Sequence, residues 1–287
     1  MMRAHAREAL VLSNIKSVLI ATTPDRRVSS ALSYGLSLAQ VSEAHVAVEI
    51  LAPKIVLGHM HLGATAADLI AAENQRTQSL AETMAESARH DAQMHGVPCR
   101  VDALQKGHAV VAGWIAARAR VHDVAVLDAE PDALAVGRAL LEGVLFHSGR
   151  PVIVVPPSVD RAKPERIVVA WDGSDRAARA VGDAMPFLRA AKEVEIVSIS
   201  GEKALSAEAP ATELAPLLAR HAVNATVKDL RADHGDVAEK LREQASLYRA
   251  DMIVMGAFAR SWLRQMVLGG VTQGLLKECA VPLLLAH

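Results

Sequence analysis

A chain of 287 residues is long enough for two domains of ordinary size, and 51% hydrophobic with 22% charged residues excludes a disordered chain. The 31 Lys and Arg against 32 Asp and Glu, with only 3% aromatic residues, argue against a nucleic-acid-binding surface built on charge or stacking. Two cysteines, Cys99 and Cys279, exclude a disulfide framework and a Cys-rich zinc site.

The first apolar run, 17–23, reads as a strand, followed by a helix at 29–40 and a second strand at 45–51. A long helix follows from Ala66 to about His95, ended by Gly96 and Pro98. A weaker strand at 99–104, a helix after Gly107, a strand after Asp123 and a last strand at 152–155 complete a first unit. Pro156 and Pro157 stop that strand, because proline cannot donate to a ladder. The polar, Pro-rich stretch 156–164 reads as a semi-stiff linker.

The same series then recurs. A strand at 166–172 is followed by a helix at 174–191, a strand at 194–200, a short helix at about 212–221 and a weak strand at 225–230. Gly107 and Asp123 are 16 positions apart (123 − 107), as are Gly235 and Asp251 (251 − 235), and each pair brackets a helix that leads into a four-residue apolar strand. Pro151 and Pro282 precede matching final strands. Two copies of one unit, 1–159 and 160–287, follow. The strands read as apolar throughout, which predicts parallel sheets covered on both faces: an α/β, doubly wound, Rossmann-like fold with five strands per unit in the order 3-2-1-4-5 and flanking helices. No apolar run reaches the roughly 18 residues of a membrane span, and the first residues meet Glu8 too early for a secretory signal. No membrane or nucleic-acid partner and a cytoplasmic location are expected.

The chain lacks G-x-x-x-x-G-K-[ST], G-x-G-x-x-G, H-E-x-x-H and G-x-S-x-G. His59 and His61 could chelate if they lay on a strand, but their surroundings read as a loop without a carboxylate or thiolate at a useful spacing. His90 and His95, five apart, are poorly spaced on a helix. No metal and no nucleophile–base pair are predicted, so the chain reads as a binding module rather than an enzyme.

One segment of the second unit carries a distinct pattern. An apolar strand ends at Gly256, a loop brings Arg260, Ser261 and Arg264, and Gly269-Gly270 opens a helix to about Cys279. Glycine lets backbone approach an anion, a helix start offers free N–H groups and the positive end of its dipole, and arginines pair with phosphate oxygens. The segment reads either as an oligophosphate cradle or as a surface loop needing glycine for its turns. Asp172, at the end of strand one, faces the same switch point between strands one and four. It could accept from an adenine amino group or a ribose hydroxyl, or support the cap of the next helix, where Ser174 is the expected N-cap.

These residues resemble the universal stress protein family in its tandem, two-domain form. The nucleotide signature of that family, Gly-x2-Gly-x9-Gly-[Ser/Thr], falls on Gly256, Ala259, Gly269 and Gly270, and its strand-one Asp falls on Asp172. The resemblance implies a stress-response regulatory protein that binds ATP, with adenine against Ala170, Asp172, Ile199 and Met255. It places the phosphates against Gly256, Ala259, Gly269, Gly270 and Val271. It also implies pairing through fifth strands, between the two domains of this chain or between chains in a homodimer, and an unspecified protein partner.

Two positions depart from the signature. Ala259 replaces a glycine, at a cost of about 1–2 kcal/mol if that site needs positive φ. Gly270 replaces Ser or Thr and forfeits a hydroxyl contact worth about 0.5–1.5 kcal/mol, for which Arg260, Ser261 or Thr272 could compensate. The first unit departs further. Thr23 stands where Asp172 stands, Asp128 where Gly256 stands, and the acidic run Ala129-Glu130-Pro131-Asp132 would repel a triphosphate. Binding is therefore expected in the C-terminal domain only. A nucleotide-independent scaffold or dimerisation protein of the same fold is the alternative.

Overall fold

The computed structural model describes residues 12, 14–24, 29–56, 64–200, 209–232, 236–257, 259–260, 267–268 and 270–287. The first unit runs β1 (Ser17–Thr22), α1 (Ser30–Ser42), β2 (His45–Lys54), α2 (Ala64–Met94), β3 (Cys99–Gly107), α3 (His108–Ala119), β4 (Val124–Asp128), α4 (Val136–His147) and β5 (Val152–Val155). The second runs β6 (Arg166–Ala170), α5 (Asp175–Ala190), β7 (Glu193–Ser200), α6 (Ala211–Arg220), β8 (Ala225–Arg231), α7 (Val237–Tyr248) and β9 (Met252–Gly256). A ribbon of β10 (Ala259–Arg260) and β11 (Val267–Leu268) follows, then α8 (Gly270–Glu278) and β12 (Leu283–Ala286).

Each unit has the order expected from the sequence: β3-β2-β1-β4-β5 in the first and β8-β7-β6-β9-β12 in the second, all parallel within the unit. The fifth strands meet antiparallel, with Leu284 opposite Ile153, and fuse both units into one ten-stranded sheet. Val152, Ile153, Val154, Leu283, Leu284 and Leu285 are all buried at this seam. Burying each such side chain contributes about 1.5–3 kcal/mol, so the seam is core rather than a wet contact between domains. One apolar cluster lies under α1, α2, α5 and α6, and another under α3, α4, α7 and α8. Both clusters draw residues from both units.

The repeat extends to single contacts. Asp123 accepts from the backbone N–H groups of Lys16 and Ser17, and Asp251 accepts from those of Glu165 and Arg166. The Asp before each fourth strand thus pins the start of each first strand. Gly143 and Gly274 each stand nine residues before a fifth strand (152 − 143 and 283 − 274). A Cβ on Gly143 would lie 2.5 Å from Ala112 O, and one on Gly274 would lie 2.9 Å from Ala238 Cβ. Glycine lets the last two helices of each unit touch.

Three features differ from the sequence reading. Strand β3 runs on to Gly107 rather than stopping near 104. Strand β8 is not apolar throughout: its burial alternates and it carries Lys228, Asp229 and Arg231. It is a sheet edge, where charges guard the unpaired ladder. The linker also docks on α1, through Ser30 Oγ to Pro157 O and Ala162 N to Ser37 Oγ.

Candidate functional site

The two units solve the end of strand one and strand four differently. In the second unit, β6 ends at Ala170 beside Met255 of β9. Gly173 turns the chain at φ 76°, a left-handed conformation that glycine adopts without penalty. Asp172 Oδ1 then accepts from Ser174 N at 3.1 Å, and Ser174 Oγ accepts from Ala177 N as the N-cap of α5. The capping expectation for both residues is met, and one Asp172 oxygen is engaged in it.

Gly256 has a packing reason of its own. A Cβ there would lie 2.6 Å from Ala177 N and from the Arg176 carbonyl carbon. The first turn of α5 therefore rests on the end of β9, and glycine is required whether or not a ligand approaches. Gly270, at the start of α8, is different: a Cβ there would meet nothing within 4 Å among the described residues.

The described residues of the loop after β9 include a short antiparallel pairing that the sequence reading did not anticipate. Ala259 pairs with Leu268, and Arg260 pairs with Val267. Ser261, Arg264 and Gly269 lie outside the described residues. Ala170, Ile199, Met255 and Val271 all belong to the large apolar cluster under α3, α4, α7 and α8. Thr272, in the first turn of α8, is 0% exposed, and its Oγ1 has no hydrogen-bond partner among the described residues. Such an orphan costs about 1–3 kcal/mol.

In the first unit the same place is filled. Asp128 is 8% exposed. Its Oδ2 accepts from Thr22 Oγ1 at 2.9 Å and Ser29 Oγ at 2.8 Å, and its Oδ1 accepts from Ala31 N at 2.9 Å. The carboxylate thus binds strand β1 to the start of α1, a favourable place for a negative charge. A cavity of about 10 Å³ remains among Ala21, Thr22, Thr23, Leu127, Asp128, Gly137 and Leu140. That is room for about one water. Asp128 thus stands here as a hydrogen-bonded carboxylate tied to β1 and α1 rather than as a bare repelling charge. Asp132 itself serves a local turn, accepting from Leu134 N.

Among the described residues no group of three His, Cys, Asp or Glu is placed to hold a metal ion. His59 and His61 fall outside them. No helix among those residues is long and apolar enough to cross a membrane. The sequence reading missed Arg138 and Gln273, which join the two units near α8. The available signal was the pair Arg138 and Glu142, four apart in the mostly apolar α4.

Residues 164–287 match the model of the universal stress protein family. A universal stress protein from Archaeoglobus fulgidus DSM 4304 has a similar structure, with a TM-score of 0.68 at 16% identity, over 96% of this chain and 97% of that one. A functionally unknown protein from Pseudomonas aeruginosa PAO1 is similar at a TM-score of 0.60 and 16% identity, over 96% and 94% of the two chains. A universal stress protein solved in complex with cAMP is 19% identical over 44% of this chain and 99% of that one, with a TM-score of 0.36. No curated protein matches the chain.

Proposed function

We propose, from the match of residues 164–287 to the universal stress protein family model and the likeness of the whole chain's fold to that of a universal stress protein, that this is an ATP-binding regulatory protein with one nucleotide site per chain. The site is in the second unit, residues 160–287. Adenine lies against Ala170, Ile199 and Met255, with Asp172 Oδ2 free to accept from the base or ribose. The phosphates meet Gly256, Ala259, Arg260, Gly269, Gly270, Val271 and Thr272. The observation that carries this reading is the buried Thr272 hydroxyl in the first turn of α8, which has no hydrogen-bond partner among the described residues. It stands two residues after Gly270, where the hydroxyl of the family signature is missing, and a phosphate oxygen would satisfy it. Regulation would follow from ordering of the loop between Gly256 and Gly270 by nucleotide.

The test is the nucleotide content and ATP affinity of the purified chain beside Asp172→Ala and Thr272→Val. Thr272→Val keeps the shape and removes the hydroxyl, so affinity should fall roughly threefold to tenfold, the worth of one hydrogen bond. One equivalent of ATP per wild-type chain is expected. A wild-type chain that binds nothing at millimolar ATP overturns the proposal.

One observation favours a nucleotide-independent scaffold of the same fold. Gly256 and Asp172 both have structural work at the start of α5, so their presence alone does not require a ligand. Unchanged affinity in Thr272→Val and Asp172→Ala, with wild type binding weakly, would support that second reading.

A further inference from the structure

The fifth strands also give the register between the last helices of the two units. Arg138 stands 14 residues before β5 (152 − 138), and Gly269 stands 14 before β12 (283 − 269). The first unit thus has an arginine where the second has a signature glycine. Arg138 is 2% exposed, a buried cation at the start of α4. Its Nε donates to Glu142 Oε1 at 2.8 Å and its Nη1 to Glu130 O at 3.3 Å. Its Nη2 crosses into the other unit and donates to Gln273 Oε1 at 2.5 Å. Gln273 Nε2 returns the contact by donating to Pro131 O at 3.2 Å. A guanidinium can only donate and a carbonyl can only accept, so these partners fix which way the Gln273 amide points.

Gln273 directly follows Thr272 in α8. Holding its amide from two sides fixes how far the helix projects and which way its first turn faces. We infer that Arg138 is a positioning residue for the cradle of the second unit: acting through Gln273, it sets the first turn of α8, so the unit that has lost its own site completes the site of its neighbour. The ligand part of this inference rests on the function proposed above. Its structural part does not, because the clasp is made by the chain alone.

The chemistry explains why the residue is arginine. One planar group must reach a carboxylate on its own helix, a carbonyl of its own loop and an amide of the other unit, and a guanidinium has donors enough for all three. Lysine could reach one or two of them. Methionine would fill the space and leave Gln273 Oε1, Glu142 and Glu130 O without this donor.

The experiment uses the full chain with Arg138→Met, Arg138→Lys and Gln273→Ala. ATP affinity is measured by calorimetry, and hydrogen exchange is followed in peptides covering α8 and α7 without nucleotide. The clasp predicts an ATP dissociation constant raised about tenfold in Arg138→Met and Gln273→Ala, the worth of a hydrogen bond to a charged group. Arg138→Lys should fall between them and wild type, and exchange should quicken in α8 while α7 stays as it is. A merely structural role would lower the melting temperature without this graded rescue of affinity. If wild type binds ATP and all three variants bind it equally well, the inference is overturned. If wild type binds no ATP, the nucleotide proposal fails. Exchange then decides the clasp: faster exchange confined to α8 sustains it, and unchanged exchange refutes it.

Discussion

Replacing Gly256 by alanine separates the two reasons for a glycine at the end of β9. The new Cβ would stand 2.6 Å from Ala177 N and from the Arg176 carbonyl carbon, and 2.9 Å from Arg176 Cβ. Two of these atoms are backbone and cannot rotate aside. Ordinary contact begins near 3.4 Å, so the start of α5 must retreat by roughly 0.8 Å from the sheet (3.4 − 2.6). Ala177, Ala180 and Ala184 are buried in the packing of that helix, and the retreat would loosen it. Overpacking of this kind costs about 1–3 kcal/mol. The matched control is Gly182→Ala, in the middle of α5, where a Cβ meets nothing within 4 Å and helix propensity gains up to about 1 kcal/mol. Urea unfolding followed by far-ultraviolet circular dichroism reads both. If Gly256→Ala unfolds within about 0.5 kcal/mol of wild type at an unchanged slope, close approach to α5 is not what demands this glycine. If it is destabilised as expected, loss of nucleotide in any Gly256 variant is ambiguous. Gly270→Ala then becomes the cleaner probe, because a Cβ there meets nothing within 4 Å among the described residues.

Asp128→Ala should cost about 3 kcal/mol, since it strands two buried hydroxyls and the Ala31 N–H at the start of α1; denaturant unfolding of the full chain reads the loss. Ala222→Gly should stabilise by about 0.5–1 kcal/mol, because alanine is held at φ 62° after α6, and an unchanged melting temperature would contradict it. Glu49 is 0% exposed, with Arg118 Nε and Arg100 donating to one oxygen and the other without a partner among the described residues. Burial first, then the Asp102 charge, push its carboxyl up to about 7 against the opposing Arg100 charge. A raised acid favours the fold most below its ordinary value of 4.5, and that contribution is lost as pH rises through about 7. Stability should therefore decline by on the order of 3 kcal/mol across that window, and Glu49→Gln should flatten the decline.

The fold was legible in the sequence because its signals were local and repeated. Continuous apolar strands, the equal spacing from Gly107 to Asp123 and from Gly235 to Asp251, and the prolines before each fifth strand required no knowledge of distant contacts. The antiparallel joining of β5 and β12 was foreseen as an option only, because two short apolar strands look alike whether they pair or sit under a helix. The site was harder to read. Gly256 reads as a ligand glycine in a motif and as a packing glycine in space. Asp128 reads as a repelling charge in an acidic run, yet three donors absorb its oxygens. Those donors lie 97–106 positions away in sequence. Arg138 and Gln273 are 135 apart, and no spacing rule connects them.

Joining the fifth strands inside one chain also limits how this protein assembles. A strand has two hydrogen-bonding edges. Those of β5 are taken by β4 and β12, and those of β12 by β5 and β9. A homodimer formed through fifth strands, as the family resemblance implied, would have to break this seam and expose six buried aliphatic side chains. An exchanged pairing of the same strands would return only the burial that opening the seam costs, about 1.5–3 kcal/mol per side chain, while joining two chains costs further translational and rotational entropy. The sheet ends at β3 and β8, and the charges on β8 disfavour strand pairing there. The internal pairing thus supplies within one chain what two single-domain chains would obtain by dimerising. Light scattering should therefore report the 30.5 kDa monomer at micromolar concentration. A stable dimer dissociated by Leu284→Asp at unchanged helix content would show that the seam is shared between chains.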